Sequence, residues 1–351
     1  DDKRYSLTYN GEIYNYKEIR KDLSKIGYRF KTKTDTEVLL YSLVHWKEKA
    51  LEKLNGMFVF AFYDNKEKNL LLARDRYGIK PLYISYDNNS FYFASEQKSI
   101  LGVSSFRRLL NKQALFEYFT FQNYLTNQTL MNKIEIFPAG NYVFLDLKIK
   151  SYKPKYSQYW DYVFKEPKGK VNEKDYLHEL DYLFKRAVKR QLVSDVELGS
   201  YLSGGIDSGS ITAIASKHLP FIKTFTCGFD LSSASGIELA FDERTKAEKM
   251  SALFKTEHYE MVLKAGDMER SLSDLVFHLE EPRVGQSYPN YYSAKLASKF
   301  VKVILSGSGG DELFGGYPWR YPRPQSDNDL ESYVNNYYNY WQRLIPNEYM
   351  R

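Results

Sequence analysis

The chain has 351 residues, which at about 150 residues per domain allows two domains. A composition 43% hydrophobic and 27% charged excludes a disordered tail. Fifty Lys and Arg against 44 Asp and Glu leave +6, too small and too dispersed a charge to suggest nucleic-acid binding. The single cysteine, Cys227, excludes an internal disulfide and fits a reducing compartment, so a cytoplasmic location is expected. No run of about 18 apolar residues exists to cross a membrane.

The chain starts Asp1-Asp2-Lys3-Arg4 and enters a strand-like run, Tyr5 to Tyr9, with no initiator methionine and no signal peptide. It stops at Arg351 soon after a stretch, Asn336 to Trp341, that is still amphipathic. Both ends are expected to be cut, leaving a piece of a longer protein. Residues 15–26 place Tyr16, Ile19, Leu23 and Ile26 on one helical face, and Gly27 supplies a stop. A second helix is predicted from Asp35 to Trp46, with Thr34 as N-cap. Strand runs follow at 57–63, 70–73, 82–86 and 91–94. Asp64-Asn65 and Asp87-Asn88-Asn89 mark hairpin turns, and consecutive hairpins imply antiparallel pairing.

From residue 151 the composition shifts to Lys, Tyr, Pro and Gly, and 156–171 reads as a linker. Beyond it the pattern alternates. A helix at 172–192 precedes strands at 196–202, 222–229, 257–263 and 301–305, with helices at 208–218 and 241–254 and two further helical stretches between them. Such alternation implies a parallel sheet with helices on its faces.

The strongest chemical signal is Leu198-Gly-Ser-Tyr-Leu-Ser-Gly-Gly-Ile-Asp-Ser208. An apolar strand runs into Ser203-Gly204-Gly205, and a helix opens near Asp207-Ser208. Glycines let several backbone N–H groups converge, and the helix N-terminus adds its positive dipole end, which together make an anion site. No Gly-Lys-Ser/Thr follows, so it is not a Walker loop. Taken alone, the segment also fits a plain strand–helix turn with Asp207 as a cap. A second strand feeds Ser306-Gly-Ser-Gly-Gly-Asp-Glu312. In a parallel sheet both loops can face one crevice, where Asp207 and Asp311 could hold Mg²⁺ against a polyphosphate. Alone, Asp311-Glu312 also reads as a solvated pair at a helix start. The five histidines show no metal-type spacing, and Glu280-Glu281-Pro282 fits a helix stop as well as an acidic element near a pocket.

Together these motifs resemble the glutamine-hydrolysing asparagine synthetase family. SGGIDS is similar to the pyrophosphatase-type loop of AMP-forming enzymes, and LSGSGGDELFGGY follows it in the order that family shows. YNGEIYNYKEIR, TDTEVLL, LNGMFVFAFYD, ARDRYGIKPLY and FASEQKS resemble its class II glutamine amidotransferase domain. The likeness can be followed over residues 5–320. It implies an α+β N-terminal nucleophile-type αββα sandwich, incomplete, over residues 1–155. After the linker it implies an α/β parallel-sheet nucleotide-binding synthetase domain over 172–351, with its C-terminal part missing.

By that resemblance Asn10 and Gly11 form the oxyanion hole of a glutaminase, and Glu12 and Asp35 hold the amino-acid end of glutamine. The nucleophilic cysteine would precede Asp1 and is absent from the chain, as is an arginine for the glutamine carboxylate. Leu202, Ser203, Gly204, Gly205, Asp207, Ser208, Cys227, Ser306 and Gly307 match ATP-binding positions, and Asp207 and Asp311 match Mg²⁺ ligands. Asp242 matches a further acid near the pyrophosphate. The implied reaction activates a carboxylate as an acyl-adenylate with ATP and amidates it with glutamine-derived ammonia. A homodimer is compatible with the family; nucleic acid and membrane are not expected partners.

Two departures stand out. Ser308 occupies a place where asparagine synthetases commonly carry glutamate, which opens the acceptor to other small carboxylates, sugar acids of surface polysaccharides among them. The family's later phosphate-binding lysine would lie beyond Arg351. A non-catalytic remnant that binds nucleotide is the reading from another class.

Overall fold

The computed structural model describes residues 3–87, 89–103, 106–149, 152–167, 169, 172–232, 242–283, 287–317, 330–340 and 344–346. The chain divides into two compact units: Asp1–Phe119 with Asn123–Lys170, and Val171–Arg351 with Thr120–Gln122.

In the first unit, β1 (Tyr5–Ile13), β2 (Gly56–Asp64), β3 (Asn69–Arg74), β7 (Asn141–Asp146) and β8 (Tyr156–Gln158) form an antiparallel sheet in the order β1-β2-β3-β7-β8. Strand β2 explains the apolar run Met57–Tyr63. Phe58, Phe60 and Phe62 face a layer made by α1 (Tyr16–Lys25), α2 (Asp35–Trp46) and α3 (Ala50–Lys53), meeting Ile19, Leu23, Leu39, Leu43 and Leu51. Val59 and Ala61 face the other way, toward Ile84 of a second sheet and Leu82 and Phe137 beside its strands. Both faces of β2 are thus buried, so its sequence cannot alternate between apolar and polar. Thr34 caps α2 as expected, its side chain accepting the Glu37 N–H.

The second sheet, ordered β5-β4-β6, joins β4 (Tyr83–Tyr86), β5 (Phe91–Ala94) and β6 (Glu135–Ile136). Strands β3 and β4 thus belong to different layers, so the strand runs expected in sequence are divided between two antiparallel sheets. The cause is the segment Arg74–Leu82. Asp75 is fully buried, and its carboxylate accepts N–H bonds from Phe58 (3.2 Å), Tyr77, Ile79 and Lys80 (3.0 Å each). The Arg74 guanidinium, also buried, donates to the carbonyls of Lys80 (2.7 Å), Gly78 (2.7 Å) and Phe137 (2.6 Å). Burial holds that guanidinium below its ordinary pKa, with the neighbouring Asp75 charge opposing. Two charged side chains therefore replace the sheet ladder and turn the chain from one layer to the next. Helices α4 (Gln97–Leu101) and α5 (Lys112–Phe121) lie in the segment between β5 and β6.

The fifth strand corrects a boundary as well. Tyr156–Gln158 pairs with Val143–Asn141, inside the stretch 156–171 expected to be linker. Ser157 and Gln158 are exposed, so the strand carries no apolar alternation to betray it.

The second unit is built on a four-stranded parallel sheet. Its strands are β9 (Leu198–Tyr201), β10 (Lys223–Phe229), β11 (Glu257–Leu263) and β12 (Val303–Leu305), in the order β11-β10-β9-β12. The helices are α6 (Glu173–Gln191), α7 (Ile206–His218), α8 (Arg244–Phe254), α9 (Asp267–Leu279), α10 (Ser287–Ala297), α11 (Gly310–Phe314) and α12 (Leu330–Tyr340). Val188, Ala215, Ile222 and Leu305 close one core between α6, α7 and the sheet. Phe225, Ala297 and Val301 close another, with Tyr201, Tyr259 and Phe300 against it. Coverage on both faces is what a parallel sheet requires. The expected helix 241–254 starts at Arg244; Phe241 lies outside the described residues. Among the described residues no helix is long and apolar enough to cross a membrane.

Strands β9, β10 and β11 advance in one direction across the sheet. The chain then returns and lays β12 on the opposite side of β9. Between β9 and β12 the strand order reverses, and a crevice outside the carboxyl ends of such a pair is where open α/β sheets bind ligands.

Candidate active sites

At the carboxyl end of β9, Gly204 adopts φ +78°, a left-handed conformation that glycine tolerates without strain. A Cβ there would stand 2.4 Å from Lys246 Cβ and 3.1 Å from Ala247 N, so the first turn of α8 lies directly on the loop. The loop is tied to α7 by hydroxyls. Ser208 Oγ accepts the Ser203 N–H at 3.1 Å and lies 3.0 Å from Ser203 Oγ, which accepts the Gly205 N–H at 3.3 Å. Leu202 is fully buried; its N–H donates to Phe225 O at 3.0 Å and its carbonyl accepts the Thr226 hydroxyl.

The second loop meets the first. A Cβ on Gly307 would lie 2.7 Å from Ser208 N and 3.0 Å from Asp207 Cβ. One on Gly310 would lie 2.4 to 2.6 Å from the Asp207 carboxyl atoms. Only glycine lets α11 approach that closely, and the Asp311 N–H then donates to the Asp207 carboxylate. Desolvation holds the Asp207 carboxyl above the ordinary carboxylate range, and the charges of Asp311 and Glu312 push the same way. A cation between Asp207 and Asp311 would relieve that repulsion, and two carboxylates suit Mg²⁺, which keeps waters and takes its remaining oxygens from phosphate. Among the described residues no group of three or more His, Cys, Asp and Glu forms a metal cage. Ser306 Oγ and Ser308 Oγ stand 2.9 Å apart, and the Ser308 N–H donates to Ser306 Oγ at 3.3 Å.

Asp242, expected near the pyrophosphate, is paired with Arg244. It receives Arg244 Nη2 at 2.6 Å and Nε at 3.0 Å, and the guanidinium holds its carboxyl below the usual range. The Arg244 Nη2–H also donates to Phe229 O at 2.8 Å, so the pair braces the end of β10. The neighbouring Glu243 reaches the Ser203–Ser208 loop, hydrogen-bonded to the Ser203 hydroxyl, with its carboxyl raised by burial against the opposing Lys246 charge.

Cys227 lies on β10 with its thiol pushed up to about 11, chiefly by burial; the Ser293 hydroxyl at the sulfur opposes this. At pH 8 the thiolate fraction is then roughly two orders of magnitude below that of a free cysteine. Iodoacetamide labelling of the folded protein, followed by mass spectrometry, is expected to be correspondingly slow and to accelerate as pH rises toward 11. Rapid labelling at pH 8 would contradict the burial.

In the first unit, Asn10, Gly11 and Glu12 follow one another at the end of β1. Gly11 opposes Phe58, and a Cβ there would stand 2.2 Å from Met57 O. The Asn10 side chain is exposed, and its Nδ2–H donates to Ser95 Oγ at 3.2 Å. Ser95 lies within the FASEQKS motif, yet nothing in the sequence marks it as Asn10's partner. Asp35 begins α2 and accepts both the Tyr9 hydroxyl (2.7 Å) and the Ile13 N–H (3.0 Å) through Oδ2, which pins the helix start to β1. Burial raises the Tyr9 phenol, with the Asp35 charge second. The Tyr14 phenol is pushed up to about 12 by burial, then by Glu12 and Asp75. Asp207 thus touches both glycine loops in the second unit, and Asp35 is tied to β1 in the first.

Comparison with known proteins assigns a class to each unit. A glutamine amidotransferase domain family matches residues 1–160, and the asparagine synthase family matches residues 179–350. The second match runs about thirty residues beyond the last motif recognisable in the sequence. The chain is 37% identical over 327 residues to asparagine synthetase [glutamine-hydrolyzing] 1 of Bacillus subtilis, covering 90% of this chain and 48% of that protein. It is 35% identical over 334 residues to asparagine synthetase [glutamine-hydrolyzing] 3 of the same organism, covering 90% and 52%. Against asparagine synthetase B of Escherichia coli it is 30% identical over 344 residues, covering 92% and 54%. The chain belongs to the glutamine-hydrolysing asparagine synthetase family. It spans about half the length of the curated relatives it matches.

Proposed function

We propose that the protein is a glutamine-dependent, asparagine synthetase-like ligase. A carboxylate is activated with ATP as an acyl-adenylate, releasing pyrophosphate. Ammonia cleaved from glutamine then attacks the acyl carbon and displaces AMP, giving the amide. The observation that carries this reading is the direct contact of the two glycine loops at the β9–β12 reversal, with Asp207 between them.

Ser203, Gly204, Gly205 and Ser208 form the cradle for the phosphates, and Cys227, Leu202, Ser306 and Gly307 line the nucleotide side. The α7 N-terminus contributes its dipole to the bound anion. Asp207 and Asp311 hold Mg²⁺, which when bound neutralises charge developing on the departing pyrophosphate. In the first unit, an N-terminal nucleophile-type αββα fold, Asn10 and Gly11 donate to the tetrahedral oxyanion of glutamine hydrolysis. Glu12 attracts the glutamine ammonium. Asp35 acts beside it, through one oxygen on Tyr9 and Ile13.

A specific observation favours a second acceptor class. The third residue of the β12 loop is Ser308, hydrogen-bonded to Ser306, where an acid is the family's common choice. A neutral hydroxyl at that place suits a carboxylate acceptor other than aspartate, such as a sugar acid.

The test is carboxylate-dependent pyrophosphate release by the full-length polypeptide with glutamine and MgATP, over a panel of amino and sugar acids. Amide product is read by mass spectrometry. Release with one acid names the acceptor. No release with aspartate sinks the asparagine reading, and none with any acid sinks the ligase.

A further inference from the structure

We propose that Ser95 is a positioning residue for the Asn10 carboxamide, setting the direction of its oxyanion-stabilising N–H. The inference rests on the glutaminase reading of the first unit. A primary amide carries two N–H bonds in one plane, about 120° apart. The Asn10 Nδ2 gives one of them to Ser95 Oγ at 3.2 Å. Once that hydrogen is committed, the plane of the amide and the direction of the second hydrogen are both set.

Asn10 needs such a guide. It sits on β1, at the end of the strand order among the described residues, and its side chain is exposed. An exposed amide samples rotamers, and a donor that must reorient as charge develops forfeits much of its stabilising effect. Ser95 is itself well held. It follows β5 directly, and two and five residues later Gln97 and Ile100 are buried at 1% and 2% exposure, anchoring α4. The hydroxyl is therefore presented from a rigid junction and not from a loop tip. A hydrogen bond between two solvent-accessible groups adds little to stability, so its worth lies in orientation.

The test compares Ser95→Ala, Ser95→Thr, Asn10→Ala and the double variant Asn10→Ala/Ser95→Ala in the full-length protein. Ser95→Ala is expected to lower kcat for glutamine hydrolysis about 10- to 30-fold, with KM within about twofold. Ser95→Thr keeps the hydroxyl and is expected to restore most of kcat. Amide formation driven by added ammonia should be unchanged in Ser95→Ala and Ser95→Thr, and their thermal unfolding should stay within about 2 °C of the parent. In the Asn10→Ala background, removing Ser95 should have no further effect, because the group it positions is gone. An unchanged kcat in Ser95→Ala overturns the proposal, as do losses that simply multiply in the double variant. If Asn10→Ala itself leaves hydrolysis intact, the oxyanion reading falls and Ser95's role with it. Loss in Asn10→Ala with a silent Ser95→Ala sinks the role of Ser95 alone.

Discussion

Asp207→Ala is expected to cut carboxylate-dependent pyrophosphate release by roughly three orders of magnitude while glutamine hydrolysis continues. That factor corresponds to about 4 kcal/mol of lost charge stabilisation in the transition state, the scale expected when one of two protein ligands to a catalytic cation is removed. Asp207 has a second task, since it accepts the Asp311 N–H and so holds the start of α11. Asp207→Asn separates the two. The amide oxygen still accepts that N–H, yet the charge is gone. If the cation role dominates, Asn should be nearly as inactive as Ala. If the loop contact dominates, Asn should recover most of the rate. Pyrophosphate release within about tenfold of the parent in both variants would refute the assignment of Asp207 to Mg²⁺.

The largest stability effect is expected at Asp75. Its carboxylate is fully buried and satisfies four backbone N–H groups. Asp75→Ala strands those donors, each costing on the order of 1 kcal/mol or more after relaxation, for about 4 kcal/mol in total. At 2–4 °C per kcal/mol for a unit of this size, the unfolding transition of the first unit should fall by about 10 °C. Asp75→Asn preserves volume but turns an NH₂ toward groups that are themselves donors, so it should lose nearly as much. Calorimetry of the full protein reads both. A shift below about 2 °C would mean that the turn from β3 to β4 is held by packing and not by this carboxylate. Neither substitution touches the second unit's loops, so nucleotide-dependent stabilisation there should survive.

What was legible in the sequence follows physical lines. The parallel sheet could be read because apolar strands alternate with helices, and the cap of α2 because Thr34 announces it. The two glycine loops stood out because close backbone approach permits no other residue. What escaped was tertiary. Nothing local marks where one antiparallel layer gives way to the next, since Arg74 and Asp75 are charged residues that only the fold shows to be a buried pivot. Strand β8 hid because its exposed face is polar. The link between Asn10 and Ser95 joins residues 85 apart, beyond any local pattern.

The pairing of β12 with β9 has a consequence for variation. Val303, Ile304 and Leu305 stand opposite Leu198, Gly199 and Ser200, and the site inherits its alignment from those three pairs. Lengthening or shortening the crossover helices leaves that alignment alone. A slip of β12 by one residue would not, because it would bring the side chain of Ser306 or Ser308 against Asp207, where only Gly307 fits. Insertions between the loops should therefore be tolerated far better than a single deletion inside the short third strand pair.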